Sequence, residues 1–190
     1  MFRKHSTPIS GCWLIEPDVF GDDRGWFKEL FNKQSFEEIG LGHLNFVQDN
    51  LSKSNRGTLR GMHFQSPPHT QGKLVTALEG TVLDMVVDLR KGSPSYGQSF
   101  GVELDSNKHN MLFVPEGLAH GFQVISETCL FFYKCTDTYH PESEGGLAWD
   151  DPALNMTWHD IPPILSKKDL DYAPFEEFES PFVFEGGIHG

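Results

Sequence analysis

The stretch Thr81-Val-Leu-Asp-Met-Val-Val-Asp-Leu-Arg90 decides the fold class. Leu83, Met85, Val87 and Leu89 alternate with Val82, Asp84, Val86 and Asp88. A period of two belongs to a strand, so Asp84 and Asp88 share one face with two valines. That face is either the lumen of a barrel or an outer surface, and the alternation alone leaves both open. Working outward, Lys73–Leu78 reads as the preceding strand, with Glu79-Gly80 as the turn between them. Asn110–Pro115 and Cys129–Lys134 read as further strands, and Leu44–Gln48 as a short one. Gly and Pro recur often and the runs between them are short, the spacing of an all-β sandwich or barrel. One short helix fits Ser35–Ile39, stopped by Gly40. After Pro152 the pattern is irregular, with a helical turn over Ser166–Leu170 and a tail from Phe184 to Gly190 expected to be flexible. The 190 residues, without repeat or linker, fit a single domain spanning 1–190.

Composition excludes several classes of function. The net charge of -12 is the wrong sign for a duplex-binding face, so nucleic acid is not an expected partner. A few converging arginines still suit one small phosphorylated ligand. No run approaches the roughly 20 apolar residues of a membrane helix, and the N-terminus lacks the apolar core of a secretion signal. Cys12, Cys129 and Cys135 are an odd count with no Cys-x-x-Cys spacing, which predicts free thiols in a reducing cytoplasm rather than disulfides or a zinc site.

Chemistry concentrates in two histidine segments, Leu59-Arg-Gly-Met-His-Phe-Gln65 and Pro115-Glu-Gly-Leu-Ala-His-Gly-Phe122. The second matches the Pro-x-Gly-x-x-His pattern of the cupin superfamily. The first resembles the cupin His-x-His segment, with Gln65 at the second histidine. The usual glutamate ligand lies seven residues before a glycine; here the glycine is Gly80 and Lys73 stands at that place. A protonated lysine does not ligate a metal and repels one. An ammonium there keeps the electrophilic role, because it stabilises a developing oxyanion as a metal does. The expectation is therefore no metal and no cofactor.

The chain as a whole resembles the dTDP-4-dehydrorhamnose 3,5-epimerase family. The matching residues are Phe20-Gly-Asp-Asp-Arg-Gly25, Gln48-Asp-Asn-Leu-Ser52, Leu59–Gln65, Gly72-Lys-Leu-Val75, Asp88-Leu-Arg90, Pro94-Ser-Tyr-Gly97, Pro115–Phe122, Tyr133-Lys134 and Trp149-Asp-Asp-Pro152. They run in family order from about Ile15 to about Asp169. The resemblance implies a cupin-type double-stranded β-helix (jelly-roll) barrel with a few short helices. It also implies a cofactor-independent isomerase acting on a dTDP-linked 4-keto sugar.

The reaction has a rationale of its own. In a 4-keto sugar the C3 and C5 hydrogens are α to the carbonyl, so loss of either leaves an enolate, and a proton returned to the other face inverts the carbon. Such a site needs a base, an acid opposite it, and positive charge near the C4 oxygen. His63 suits the base, because imidazole titrates near neutral pH. Lys73 suits the enolate oxygen, and Tyr133 matches the family's proton donor. Tyr133 also lies in the apolar run Leu-Phe-Phe-Tyr, where a core tyrosine is the ordinary reading.

Asp169 matches the carboxylate that orients the histidine, with Asp84 as the alternative. Ser166-Lys-Lys-Asp169 reads equally as a helix start with Ser166 as cap. By the same resemblance Arg24 and Arg60 grip the diphosphate. Glu29, Gln48 and Asn50 match nucleotide contacts, and His120, Glu144 and Lys168 match further ligand contacts. Tyr139 matches an aromatic that stacks on thymine. Family members pass N-terminal residues to a partner subunit, so a homodimer is implied. Lys28 and Thr138 stand where relatives carry aromatics, so the exact sugar is less determined than the reaction class. The alternatives are a single-carbon epimerase of another nucleotide's 4-keto sugar, a metal-dependent cupin enzyme, and a binding module without turnover.

Overall fold

A computed structural model describes residues 1–186. In chain order its strands are β1 (Phe2–Ser6), β2 (Trp13–Pro17), β3 (Val19–Asp22), β4 (Gly25–Lys28), β5 (Gln48–Asn55), β6 (Leu59–Gln65), β7 (Lys73–Glu79), β8 (Thr81–Asp88), β9 (Ser99–Asp105), β10 (Met111–Val114), β11 (Leu118–Val124), β12 (Thr128–Cys135) and β13 (Glu144–Gly146). The helices α1 (Lys33–Glu38) and α2 (Lys167–Leu170) are short. A six-stranded sheet runs β1-β2-β10-β7-β12-β5 and a five-stranded sheet runs β13-β6-β11-β8-β9. Every pairing within them is antiparallel. From β6 to β13 the chain switches repeatedly between the two sheets, as a jelly roll does.

The inner faces meet in a core of Val75, Ala77, Leu112, Val114 and Phe131 from one sheet and Val82, Val86, Leu104, Phe122 and Val124 from the other. Phe122 and Phe131 stack across it at 4.2 Å between centroids. The face of β8 that holds Asp84 and Asp88 is therefore the lumen, and both carboxylates are 0% exposed. The opposite face is buried too. Leu83, Met85, Val87 and Leu89 lie under Leu147, Leu154 and Phe182 of the irregular C-terminal segment. A third cluster, with Phe2, Ile15, Phe36, Leu41 and Leu44, covers the outer face of the six-stranded sheet.

Asp88 is a structural hub. Its Oδ1 accepts from Arg90 N (3.0 Å) and Nε (2.8 Å), and its Oδ2 accepts from Arg90 Nη2 (2.7 Å), Ser93 Oγ (2.6 Å) and Ser95 Oγ (2.7 Å). Burial alone would raise its pKa, and these donors outweigh burial and hold it low. The Asp88-Leu-Arg90 and Pro94–Gly97 motifs thus fasten the β8–β9 connection.

Several sequence expectations need correction. The expected strand at Leu44–Gln48 is not one: Leu44 is a core anchor and the strand begins at Gln48. The helix expected at Ser35–Ile39 runs from Lys33, because Asn32 caps it by accepting from Ser35 N. The tail expected to be flexible from Phe184 is tied at its start, where Phe184 N donates to Lys91 O (2.9 Å) and Arg90 lies over its ring. Residues 187–190 of that tail lie outside the described residues.

Candidate active site

Strand register places the candidate groups. His63 on β6 faces His120 on β11, so both imidazoles share the lumen face of the five-stranded sheet. On the opposite sheet Lys73, Tyr133, Cys135 and Asn50 sit at mutually paired positions of β7, β12 and β5. Two glycines make the histidine strands fit. Gly61 has φ +137°, and a Cβ there would lie 2.5 Å from Gly121 Cα. A Cβ on Gly121 would lie 2.7 Å from Arg60 O. The strands approach this closely only without side chains at either position.

The imidazole–carboxylate pairs are resolved by geometry. His63 Nε2 lies 2.6 Å from Asp169 Oδ1. Asp169 Oδ2 accepts from Ser166 Oγ (2.7 Å) and N (3.4 Å), while Ser166 Oγ accepts from Asp169 N (3.2 Å). The geometry is compatible with both sequence readings of Asp169: it completes a capping box at α2, and its other oxygen contacts His63. Burial works to raise its pKa, and the hydrogen bonds from His63 and Ser166 prevail and lower it. An ionised carboxylate only accepts, so Nε2 carries a proton and Nδ1 is left as the lone-pair nitrogen.

Asp84, the alternative orienter, instead meets His120 Nε2 at 2.9–3.0 Å. Burial raises its pKa despite the attraction of His120 and Lys73. Behind His63 stands Tyr172, with ring centroids 5.7 Å apart. Sequence reading passed over this tyrosine, although it follows Asp169 by only three residues, just beyond the end of α2.

Lys73 Nζ has no hydrogen-bond or ion-pair partner among the described residues. Burial lowers its pKa, opposed by the nearby Cys135, Asp84 and Glu144. Burial raises that of Tyr133, which keeps the phenol protonated at neutral pH. The Glu144 carboxylate is felt electrostatically by Lys73, Tyr133 and His63, which places all three around one polar end of the lumen.

A hydrogen-bonded rim crosses the mouth. Asn50 Nδ2 donates to Cys135 Sγ (3.6 Å), Gln48 Nε2 to Asn50 Oδ1 (3.1 Å), and Tyr139 N to Gln48 Oε1 (2.9 Å). Tyr139 OH donates to Glu144 Oε2 (2.7 Å), and Lys168 Nζ pairs with Glu144 Oε1 (2.5 Å). Cys135 was also missed by sequence reading. Its signal is the period of two from Tyr133, which puts it on the same face. Arg60 donates to Ser54 Oγ (3.2–3.3 Å) and its charge is felt by Tyr133.

Two candidates are not gathered here. Arg24 tips the β3–β4 hairpin, which pairs with neither large sheet, and its guanidinium bonds Asp22. Glu29 just beyond accepts from Asn32 Nδ2 (2.9 Å). A groove of about 650 Å³ between Trp13, Phe113 and Phe182–Gly186 contains none of the candidate residues.

The donor set does not fit a lumen metal. Gln65 has spent its amide on backbone: Nε2 donates to His69 O (2.7 Å) and Thr138 O (3.2 Å), and Oε1 accepts from His140 N (2.8 Å). The ammonium of Lys73, paired in register with Cys135, stands in the fourth place, where an ion would need a lone-pair donor. The arrangement is instead one for moving protons beside a carbonyl, with an oriented imidazole, a protonated phenol and an unpaired cation.

A jelly roll with this lumen defines a cupin-type enzyme of the isomerase class. The chain matches the family model described as dTDP-4-dehydrorhamnose 3,5-epimerase over residues 6–177. It is 50% identical over 166 residues to the Pseudomonas aeruginosa dTDP-4-dehydrorhamnose 3,5-epimerase, covering 86% of this chain and 91% of that one. It is 46% identical over 181 residues to the enzyme of that name from Methanothermobacter thermautotrophicus, covering 93% and 96%. A Legionella pneumophila dTDP-6-deoxy-D-glucose-3,5-epimerase, solved in complex with dTDP-4-keto-L-rhamnose, superposes with a TM-score of 0.89 at 43% identity, covering 94% of this chain and 95% of that one. The chain belongs to the dTDP-4-dehydrorhamnose 3,5-epimerase family.

Proposed function

We propose that this protein converts dTDP-4-dehydro-6-deoxy-D-glucose to dTDP-4-dehydro-L-rhamnose by inverting C3 and C5 in turn. The observation that carries this reading is the 2.6 Å His63–Asp169 pair in a lumen that also presents a lone ammonium and a half-buried phenol. His63 Nδ1 takes the proton α to the ketone, and Asp169 fixes the tautomer and stabilises the imidazolium that forms. Lys73 stabilises the enolate oxygen. Tyr133 delivers a proton to the opposite face, so the carbon inverts rather than merely exchanges. No redox step arises, and the chemistry calls for no cofactor.

Arg60, Gln48, Asn50, His120, Tyr139, Glu144 and Lys168 line the path for sugar and nucleotide. Lys168 and Tyr139 now share the Glu144 carboxylate, and an incoming diphosphate offers Lys168 a stronger acceptor. The single domain works as a homodimer in this reading. The β3–β4 ribbon exposes Phe20, Trp26 and Phe27 by 58–65%, and a two-stranded ribbon alone is marginal in water. A second copy covering it brings Arg24 and Glu29 to the neighbouring pocket. Three unpaired buried thiols suit a reducing, cytoplasmic setting, and no helix among the described residues is long and apolar enough to cross a membrane.

Turnover of nucleotide-linked 4-keto sugars in deuterated water, read by proton NMR, tests the proposal. Deuterium at both C3 and C5 of the dTDP substrate is expected. Label at one carbon indicates the single-carbon reading, and no label on any 4-keto sugar removes the enolate mechanism.

A further inference from the structure

We propose that His69, His140 and Glu142 form a binding site for a borderline divalent transition metal such as zinc or nickel, on the rim and outside the lumen. Each residue offers one donor atom, and the three atoms lie within 4.8 Å of one another. The two imidazoles stack with centroids 3.5 Å apart and planes 7° apart, on loops 71 residues apart in sequence.

This pairing is built rather than incidental. The buried Gln65 amide accepts from His140 N and donates to His69 O, so one side chain fixes the backbone of both histidines. Asp137 Oδ2 lies 3.2 Å from His69 Nδ1. The other oxygen of Asp137 accepts from the Thr138 N–H (2.8 Å), so the carboxylate is set as an acceptor toward both neighbours. His69 Nδ1 is then the donor, and Nε2 keeps its lone pair for an ion. A carboxylate behind the other ring nitrogen is the usual support of a metal-bound histidine.

Two imidazoles and a carboxylate favour zinc, nickel or copper over magnesium or calcium, and leave coordination positions for water. Metal–ligand bonds of about 2.0–2.2 Å require donors roughly 3.3 Å apart, so the set closes by about 1.5 Å at most. Glu142, with its side chain 67% exposed, has room to supply part of that movement, and His140 turns out of the parallel stack so that its in-plane lone pair converges with that of His69. The ion displaces the resting contacts His140 Nδ1–Glu142 Oε1 (3.1 Å) and His140 Nε2–Thr138 Oγ1 (3.2 Å). The acidic chain favours any cation at its surface, and among the described residues these three side chains bring their donor atoms together. A bound ion would tie the Gln65–Gly72 loop to the segment carrying Tyr139.

Calorimetric titration of the tag-free full chain with zinc chloride in a non-chelating buffer tests this. One ion per chain with micromolar affinity is expected, and His69→Ala and His140→Ala each weaken it by at least roughly tenfold. Circular dichroism confirms that each variant is folded. As a second measurement, cobalt(II) gives a visible d–d spectrum with the wild type and loses it with His69→Ala. No saturable uptake below about 1 mM zinc, or uptake unchanged in both folded histidine variants, overturns the proposal.

Discussion

Asp169→Asn separates orientation from charge at the proposed base. The Asp169 side chain uses both oxygens, Oδ1 on His63 Nε2 at 2.6 Å and Oδ2 on the Ser166 N–H and O–H. An amide has one oxygen, and the two Ser166 donors claim it, so its NH2 turns toward His63. The ring must then accept at Nε2 and carry its proton on Nδ1, the nitrogen that needs a lone pair. Flipping the amide restores the tautomer but forfeits the Ser166 bonds, about 1–3 kcal/mol. That leaves roughly one molecule in ten to one in a hundred competent. In that minority the imidazolium has lost a charge-assisted hydrogen bond for a neutral one, about 1 kcal/mol more, or another factor of roughly five. The expected fall in kcat is therefore about 50- to 500-fold. KM should change little, because Asp169 is only 4% exposed and sits behind the imidazole. Initial rates by NMR, with Tm measured in parallel, make the assay. A folded variant with kcat within about threefold of wild type refutes the orienting role.

Other perturbations discriminate among the remaining groups. Lys73→Met removes the cation at the enolate oxygen and should lower kcat about 100- to 1,000-fold while raising Tm, since it relieves a half-buried unpaired charge. Because burial lowers the folded-state pKa of Lys73, the unfolded chain holds more protons between that value and the ordinary 10.5. Wild-type stability therefore rises with pH across that window and the variant's does not, which denaturant melts at a series of pH values will show. Tyr133→Phe should abolish inversion yet keep exchange, with NMR finding deuterium returned to the original face; epimerised product at wild-type rate contradicts the donor role. Asp88→Asn breaks a buried ion pair far from the ketone and should destabilise by about 3–5 kcal/mol, a Tm drop of at least about 6 °C, with kcat retained below the melt.

The architecture was legible where alternation and turn chemistry agree. The period of two in Thr81–Arg90 and the Gly80 turn located β7 and β8. Alternation could not say which side of β8 faces solvent, because neither does: the C-terminal segment covers the side away from the lumen. β5 was misplaced because its sequence, Gln-Asp-Asn-Leu-Ser-Lys-Ser-Asn, has weak strand propensity. Its polar alternation makes sense only once Gln48 and Asn50 are seen beside Tyr133 and Cys135 on the lumen wall.

Within the site, the residue types in the two histidine segments pointed to proton transfer. The choice between Asp84 and Asp169 depended on contacts 36 and 106 residues away in sequence, which no local pattern encodes. Arg24 stays apart from the rest, at the tip of the β3–β4 hairpin with its guanidinium on Asp22, and only the proposed homodimer would bring it to a site.

The account stands or falls on whether the imidazole of His63 moves the proton. Wild type and His63→Ala, incubated with dTDP-4-dehydro-6-deoxy-D-glucose in deuterated water and followed by NMR at C3 and C5, measure this directly. The wild type should incorporate solvent deuterium at both carbons with inversion, and the variant, folded by circular dichroism, should incorporate at neither. Continued exchange at either carbon in the variant, at more than a few per cent of the wild-type rate, would place the base elsewhere.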